Sequence, residues 1–344
     1  MLRLLLACAV GALISLVVTR MLLVWMSARK IHQPIQTDGV PGHVERKQGT
    51  PTLGGIGVIV GLAAGYLLSG LTDSSLSSEG LLLLGLAVAC CGIGLLDDWD
   101  KVSTGSNAGI SASTKLRLQL AASTAFAVAV IALTDVDTAV GLPSGRWSID
   151  LGPVGWVIWA VFTIVAMSNG TNLTDGLDGL AGGSLILAFS AVATIGFWVF
   201  SNPDLYGLDF ALDVSVLAGA CVGALGGFLW WNAPPALIIM GDTGSLPLGA
   251  LLAGLALALG VDLLLPVIGA LYLVETLSVM IQVGVFKRTG RRVFRMAPIH
   301  HHFEMVGWPE TRIVVRFLLM AAFAAALAVA LFYFDYVSAT TDVL

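Results

Sequence analysis

GLLLLGLAVACCGIGLLDDWDK, residues 80–101, runs seventeen uncharged residues straight into three aspartates and a lysine. A helix needs roughly 20 mostly apolar residues to cross the hydrocarbon core of a bilayer. The apolar part, 80–96, therefore reads as a membrane span. Charge inside lipid is expensive, so Asp97 and Asp98 belong at the boundary where this span ends. At a helix C-terminus the macrodipole disfavours negative charge, so something near the pair must compensate it.

The rest of the chain repeats this design. Of 344 residues, 57% are hydrophobic and only 11% are charged, and mean hydropathy is +0.91, a mixture foreign to soluble globular domains. Ten apolar segments lie near 2–26, 53–71, 80–96, 116–133, 153–171, 177–200, 211–231, 243–260, 263–286 and 313–334. These predict an all-α polytopic membrane protein with ten transmembrane helices, a single domain over 1–344 and both termini on one side. No internal repeat or linker divides it.

Charge asymmetry selects the side. Loops after spans one, three and nine hold Arg29, Lys30, Arg46, Lys47, Lys101, Lys115, Lys287, Arg288, Arg291, Arg292, Arg295 and Arg312, whereas the alternate loops hold only Arg146. Basic loops face the cytoplasm, which places the termini outside. The outer loops are acidic, with Asp73, Glu79, Asp135, Asp137, Asp150, Asp204, Asp209, Asp213 and Asp262. The net charge of -5 sums two unlike faces and gives no reason to expect a nucleic-acid partner. Cys8, Cys90, Cys91 and Cys221 all fall in apolar spans and read as small core residues, not disulfides or metal ligands. LLAC at 5–8 resembles a lipoprotein cleavage site, but the apolar run before it is too short, and span one reads as a retained helix. TAVGLPSGRWSIDLGP (138–153) breaks the helical pattern around a Pro-Ser-Gly turn and predicts a small outer-face β-hairpin. Glu275 lies well inside span nine and must face protein or water; a hydrogen-bonded structural glutamate is the plainer reading.

Alternating span directions bring five polar segments to one face: GVPGHVERKQGTPTLGG (39–55), GLLDDWDKVSTGSNAGISASTK (94–115), SNGTNLTDGLDGLAGG (168–183), WNAPPALIIMGDTGS (231–245) and FKRTGRRVFRMAPIHHHFEMVGWPETR (286–312). Asp97 and Asp98 end span three, Asp175 and Asp178 stand one turn apart at the start of span six, and Asp242 precedes span eight. Carboxylates with phosphate oxygens are the hard ligands Mg²⁺ prefers. Helix capping explains Asp175 or Asp242 alone but not adjacent Asp97 and Asp98. The glycines around these acids let backbone N–H groups approach a phosphate, although glycine also serves helix packing. Lys47, Lys101, Lys115 and the 287–295 cluster offer counter-charge to a diphosphate, alongside plainer roles in topology and lipid attraction. His300, His301 and His302 cannot all point one way on a regular element. Beside phosphate, imidazole can donate a hydrogen bond, carry charge or pass a proton.

DDWDK, NLTDGLDGLAGG, MGDTGSLPLGA and APIHHHFEMVGWPE, in this order and between these spans, resemble the phospho-N-acetylmuramoyl-pentapeptide transferase family of the polyprenyl-phosphate N-acetylhexosamine-1-phosphate transferase superfamily. The resemblance covers essentially the whole chain, and PIHHHFE separates this family from sisters acting on other UDP-N-acetylhexosamines. It implies transfer of phospho-MurNAc-pentapeptide from UDP-MurNAc-pentapeptide to undecaprenyl phosphate, giving lipid I and UMP for peptidoglycan synthesis at the bacterial cytoplasmic membrane. It further implies Mg²⁺, ten spans with an outer hairpin and a homodimer. By motif, Asp97 and Asp98 are the paired aspartates and Asp242 the metal ligand. Catalysis would then draw on these three with His300, His301 and His302, while Lys47, Lys101, Lys115, Asn172, Asp175, Asp178, Asn232 and Gly241 line the substrate site. Ile239 departs from the phenylalanine common in the family, which removes a ring expected to contact uracil.

Two mechanisms fit. In one, Asp242 holds Mg²⁺ on the diphosphate, Asp98 with Asp97 deprotonates or orients the lipid phosphate for direct attack, and Lys115 and the histidines anchor phosphate charge. In the other, an aspartate is the covalent nucleophile. The rivals in function are a sister transferase using UDP-GlcNAc or a related sugar, and an ion-coupled transporter. A transporter predicts acids near mid-span and paired broken helices, yet Glu275 is the acid that lies well inside a span.

Overall fold

The computed structural model describes residues 1–29, 50–71, 76–106, 108–134, 136–142, 144–145 and 148–341. In chain order come α1 (Leu2–Ala28), α2 (Gly55–Ser69), α3 (Ser78–Thr104), α4 (Ala112–Leu133), the strands β1 (Ala139–Gly141) and β2 (Ser148–Asp150), α5 (Gly152–Thr174), α6 (Leu180–Ser201), the short α7 (Pro203–Tyr206) and α8 (Ala211–Asn232). Then follow α9 (Asp242–Ala258), a 3-10 turn (Asp262–Leu264), α10 (Leu265–Ile268), α11 (Ala270–Thr289), α12 (Ile299–Met305) and α13 (Glu310–Thr341). Among the described residues, eight helices are long and apolar enough to cross a membrane: α1, α3, α4, α5, α6, α8, α11 and α13. The chain is an integral membrane protein.

The segments expected at 53–71 and 243–260 form shorter helices, α2 with 15 residues and α9 with 17. At ~1.5 Å per residue they rise roughly 22 and 26 Å, short of a hydrocarbon core of about 30 Å. Beyond a polar first turn helix α9 is apolar all round, and it is buried from Asp242 to Leu257, as a helix enclosed by others must be. It packs on α3 and α5.

Packing elsewhere rests on small residues. Helix α1 buries Ala7, Gly11, Ser15 and Thr19 at four-residue spacing, opposite Gly57, Gly61 and Gly65 of α2. A Cβ on Gly61 would stand 2.7 Å from Ser15 Cβ and 2.8 Å from the Gly11 carbonyl. On the other side of α1, a Cβ on Gly223 or Gly227 of α8 would collide with the carbonyl of Cys8 or Ala12. Lipid tails give helices no hydrophobic reason to associate, so close backbone approach supplies the attraction instead. The four cysteines are free thiols within α1, α3 and α8.

Several expectations change. The span expected at 263–286 is not one helix, because Pro266 opens the single turn α10 and Gly269 breaks the chain before α11. A proline lacks the N–H needed to continue a helix from the preceding turn. Helix α3 does not stop at 96. It runs to Thr104 and ends on Gly105 at φ 63°, so Asp97 and Asp98 lie about two turns inside it, offset by Lys101 on the same helix. Asp175 and Asp178 do not start a helix either: α5 ends at Thr174, and α6 begins after Gly179 at φ 76°. Asp213 and Asp262, expected in open outer loops, are buried. Asp213 pairs with Arg3 at 2.5 Å and accepts from Tyr66 Oη at 2.8 Å and Ser77 N at 2.6 Å. Asp262 accepts from Trp159 Nε1 at 2.6 Å.

A hairpin does form, antiparallel, pairing Ala139 with Asp150 and Gly141 with Ser148. Thr138 Oγ1 and Gly152 N donate to the Asp150 carboxylate at 2.7 and 2.8 Å and hold it below the ordinary carboxylate range. Ser144 Oγ donates to Asp335 of α13 at 2.7 Å. Helix alternation puts this hairpin, Arg3 and Asp335 at the end of the bundle opposite Asp97.

Candidate active site

Three helices converge at that other end. Asp97 and Asp98 come from α3 and Asp242 is the first residue of α9; one oxygen from each lies within 4.8 Å of the others, and all three residues are buried. Two like charges about 4 Å apart repel by roughly 4 kcal/mol at an effective dielectric near 20, so the cluster needs cations. Lys101 Nζ lies 2.5 Å from Asp97, 3.6 Å from Asp98 and 3.5 Å from Asp242. Lys115 Nζ, from the first turn of α4, lies 3.0 Å from Asp97 and 2.5 Å from Asp242. Against three carboxylates these two ammonium groups leave the cluster with one negative charge in excess.

Each acid is also held by neutral donors. Thr243 donates both its N–H (2.9 Å) and its Oγ1 (2.7 Å) to Asp98 Oδ2, and Ile110 N donates to Asp97 at 3.2 Å. Asn172, in the last turn of α5, donates to Asp242 Oδ1 at 2.8 Å and to Ser245 Oγ at 2.9 Å. Glycine permits the approach. Gly241 sits at φ 74°, where a Cβ would stand 2.5 Å from Asp98 Oδ2 and 2.9 Å from Thr52 Oγ1. The fragments TPTLGG and IIMGD lie side by side, since Ile239 N donates to the Pro51 carbonyl at 2.8 Å and Gly54 N to the Ile239 carbonyl at 2.9 Å. Thr243, Ser245 and Thr52 were not singled out from sequence; the signal for the first two was their place in the first turn of the helix that Asp242 begins.

The other expected residues divide. Asp178 accepts from Ala236 N at 2.9 Å. Asn232 accepts from Gly179 N at 3.0 Å and donates to the Ile238 carbonyl at 2.9 Å. Both tie the α5–α6 turn to the loop before α9. Asp175 stands in that turn, three residues past Asn172. The three histidines sit on α12 and point different ways. His302 Nδ1 accepts from Arg295 N at 3.1 Å, and His301 Nδ1 lies 2.6 Å from Glu304. His300 is fully buried, with Nδ1 3.1 Å from Glu275. Its Nε2 packs on Gly176, where a Cβ would collide with it, so the turn after Asn172 links the histidines to the acids. Lys47 lies outside the described residues.

The donor set suits Mg²⁺. All three ligand atoms are hard oxygens, and Asp97 Oδ2 makes no aligned hydrogen bond despite its approach to Lys101. Asp97, Asp98 and Asp242 would hold such an ion, with substrate phosphate oxygens completing its shell.

The profile described as glycosyl transferase family 4 matches residues 80–260, the stretch from α3 through α9 that carries every acid of the cluster. Among curated proteins, the chain is 41% identical to a phospho-N-acetylmuramoyl-pentapeptide-transferase of Corynebacterium diphtheriae, over 99% of this chain and 100% of that one. It is 42% identical to the protein of that name from Saccharopolyspora erythraea, over 96% of each chain. The identity to the one from Mycolicibacterium smegmatis is 40%, over 98% of this chain and 99% of the relative. Likeness of this extent, end to end and through the acidic cluster, makes the chain a member of the phospho-N-acetylmuramoyl-pentapeptide transferase family.

Proposed function

We propose that this chain transfers phospho-MurNAc-pentapeptide from UDP-MurNAc-pentapeptide to undecaprenyl phosphate, releasing UMP and forming lipid I for peptidoglycan synthesis. The observation that carries this reading is the Asp97–Asp98–Asp242 cluster with Lys101 and Lys115, in a chain whose full-length relatives bear the transferase name. Both substrates are anionic, so the dominant problem is repulsion. A phosphate monoester has its second pKa near 6, which leaves the acceptor mostly dianionic at neutral pH. Its oxygen therefore needs placement more than a base.

Asp242 with one or both of Asp97 and Asp98 would hold Mg²⁺, which when bound neutralises the diphosphate and favours in-line displacement. Asp98 keeps one oxygen fixed by Thr243 and the other toward Lys101, a geometry suited to orienting the acceptor phosphate. Lys101 and Lys115 can turn from carboxylate to phosphate as charge arrives. Lys115 and Asn172 hold Asp242 in place, and the partly exposed His301 and His302 stand where they can donate to phosphate or nucleotide. Asp175 offers an acceptor to the sugar nucleotide from the same turn. Direct attack fits these placements; a phosphosugar–enzyme adduct trapped without lipid acceptor would overturn it in favour of the covalent route.

The same reading makes α2 and α9 membrane-crossing, ten spans in all, with the acidic cluster at the cytoplasmic face of the bacterial membrane and the hairpin and termini outside. The basic residues Lys287, Arg288, Arg291, Arg292 and Arg295 near the cluster's end of the bundle support it. A homodimer is expected from the family. The deciding experiment offers the purified protein radiolabelled UDP-MurNAc-pentapeptide or UDP-GlcNAc with undecaprenyl phosphate and Mg²⁺. Labelled lipid from the first alone is expected; lipid from UDP-GlcNAc alone would reassign the chain to a sister activity.

A further inference from the structure

Glu275 and His300 stand out because both are fully buried, which takes His300 out of the direct phosphate contact expected of it, and the proposed transfer gives neither a contact with substrate. Their nearest atoms, Oε1 and Nδ1, are 3.1 Å apart, at ion-pair distance, yet the approach is off the line a hydrogen bond requires. Both carboxylate oxygens and both ring nitrogens are left without an aligned partner. Buried polar atoms in that state are rare and call for a specific explanation, such as a catalytic role. Catalytic hydrogen bonds are often poorly aligned without substrate and tighten when it binds.

The surroundings indicate what this pair acts on. Glu275 belongs to α11, where its neighbour one turn back, Tyr272, donates to Ser184 of α6 at 3.1 Å. His300 opens α12 and stacks edge-on against His301, ring centres 4.1 Å apart. Its far nitrogen presses on Gly176, next to Asp175 and four residues past the Asn172 that grips Asp242. An imidazole buried between a carboxylate and a glycine turn cannot itself reach a soluble nucleotide.

We infer that Glu275 and His300 are positioning residues: Glu275 fixes the ring of His300, which sets the α5–α6 turn and the orientation of His301, so that Asp175 and His301 meet the substrate in register. Two of the histidines then divide the work, His300 as an internal strut and His301 as the group facing the substrate. This rests on the proposed transfer reaction for its kinetic consequences but not for its structural one.

The test uses the full-length protein and three variants, Glu275→Gln, His300→Ala and the pair combined. Removing the partner that orients a metal-ligating histidine typically costs ~10- to 100-fold; with His300 oriented in the same way, Glu275→Gln should lower kcat by about tenfold or more, with KM changed less than about threefold. Residues acting as one unit are non-additive, so the double variant should be no slower than His300→Ala. Multiplied losses, or a Glu275→Gln variant with the unaltered rate, would overturn the inference. Glu275→Asp keeps the carboxylate one methylene short and should recover part of the rate; recovery of none, at an equal melting temperature, counts against it. Independently of any substrate, ¹⁵N-histidine spectra assigned by difference from His300→Ala should show the proton on Nδ1 in the native protein and a displaced signal in Glu275→Gln. An unmoved signal sinks the strut even if transfer is observed, whereas a moved signal with no transfer from UDP-MurNAc-pentapeptide indicts the substrate assignment alone.

Discussion

Asp242 is the residue on which the site turns, since it touches Lys115, Lys101 and Asn172 at once. Replacing it by Asn keeps the shape and removes the charge. Loss of one preorganised electrostatic group costs ~10²- to 10³-fold or more in kcat, and loss of a metal ligand should push Asp242→Asn to the upper end. The fold should survive, because the change leaves two carboxylates, Asp97 and Asp98, in balance with two lysines. Initial rates at saturating Mg²⁺ and a melting curve check both halves; a near-native rate would contradict the metal assignment. At this scale the sequence was informative where residue type matched chemistry: Asp97, Asp98, Asp242, Lys101, Lys115 and Asn172 do meet. It was uninformative where side chains are consumed internally. Nothing in the letters N and D reveals that Asn232 and Asp178 bond backbone groups of a neighbouring loop, because that depends on how two turns pack.

Helix α8 offers an internal comparison for the small-residue seam. Gly223 and Gly226 differ by less than one turn, yet a Cβ on Gly223 would strike the backbone of α1 at Cys8, while one on Gly226 meets nothing within 4 Å. Overpacking costs ~1–3 kcal/mol where side chains can shift, and a backbone carbonyl shifts less easily. Gly223→Leu should therefore destabilise by about 3 kcal/mol or more, and Gly226→Leu by under ~1 kcal/mol, read as melting temperatures in detergent. Equal effects at the two positions would mean that α1 and α8 are not in close contact. Element existence was legible from apolar runs, because a bilayer leaves a helix few alternatives for satisfying its backbone. Element ends were not. Helix α3 outruns its apolar stretch because Lys101 offsets Asp97, and the ninth segment breaks because Pro266 and Gly269 act locally while hydropathy averages over a whole window. Helix α9 is enclosed by its neighbours, which no single segment encodes.

The molecule as a whole separates chemistry from anchorage. One end gathers the acids, lysines and histidines. The other is cross-tied by Arg3–Asp213–Tyr66, which joins α1, α8 and α2, and by Ser144–Asp335, which seats the hairpin on α13. Parity of the spans foretold which segments share an end, but Arg3 carried no signal: a lone arginine near the start of an apolar helix gives no hint of its partner some 200 residues away. Arg3→Ala would strand a buried carboxylate, for which a typical cost is ~3–5 kcal/mol. Tyr66 and the Ser77 N–H still stabilise the Asp213 charge, so the lower figure is expected. Because the Arg3 cluster and the acids lie at opposite ends of the bundle, kcat at a permissive temperature should stay within about twofold of native. The informative measurement pairs melting temperature with kcat in Arg3→Ala and in Asp242→Asn. A stability loss with intact turnover in the first, against lost turnover with intact stability in the second, is the expected crossing. Lost turnover in well-folded Arg3→Ala would instead mean that the tie at the far end sets the geometry of the acids, through the α1 and α2 helices whose C-terminal and N-terminal ends approach them.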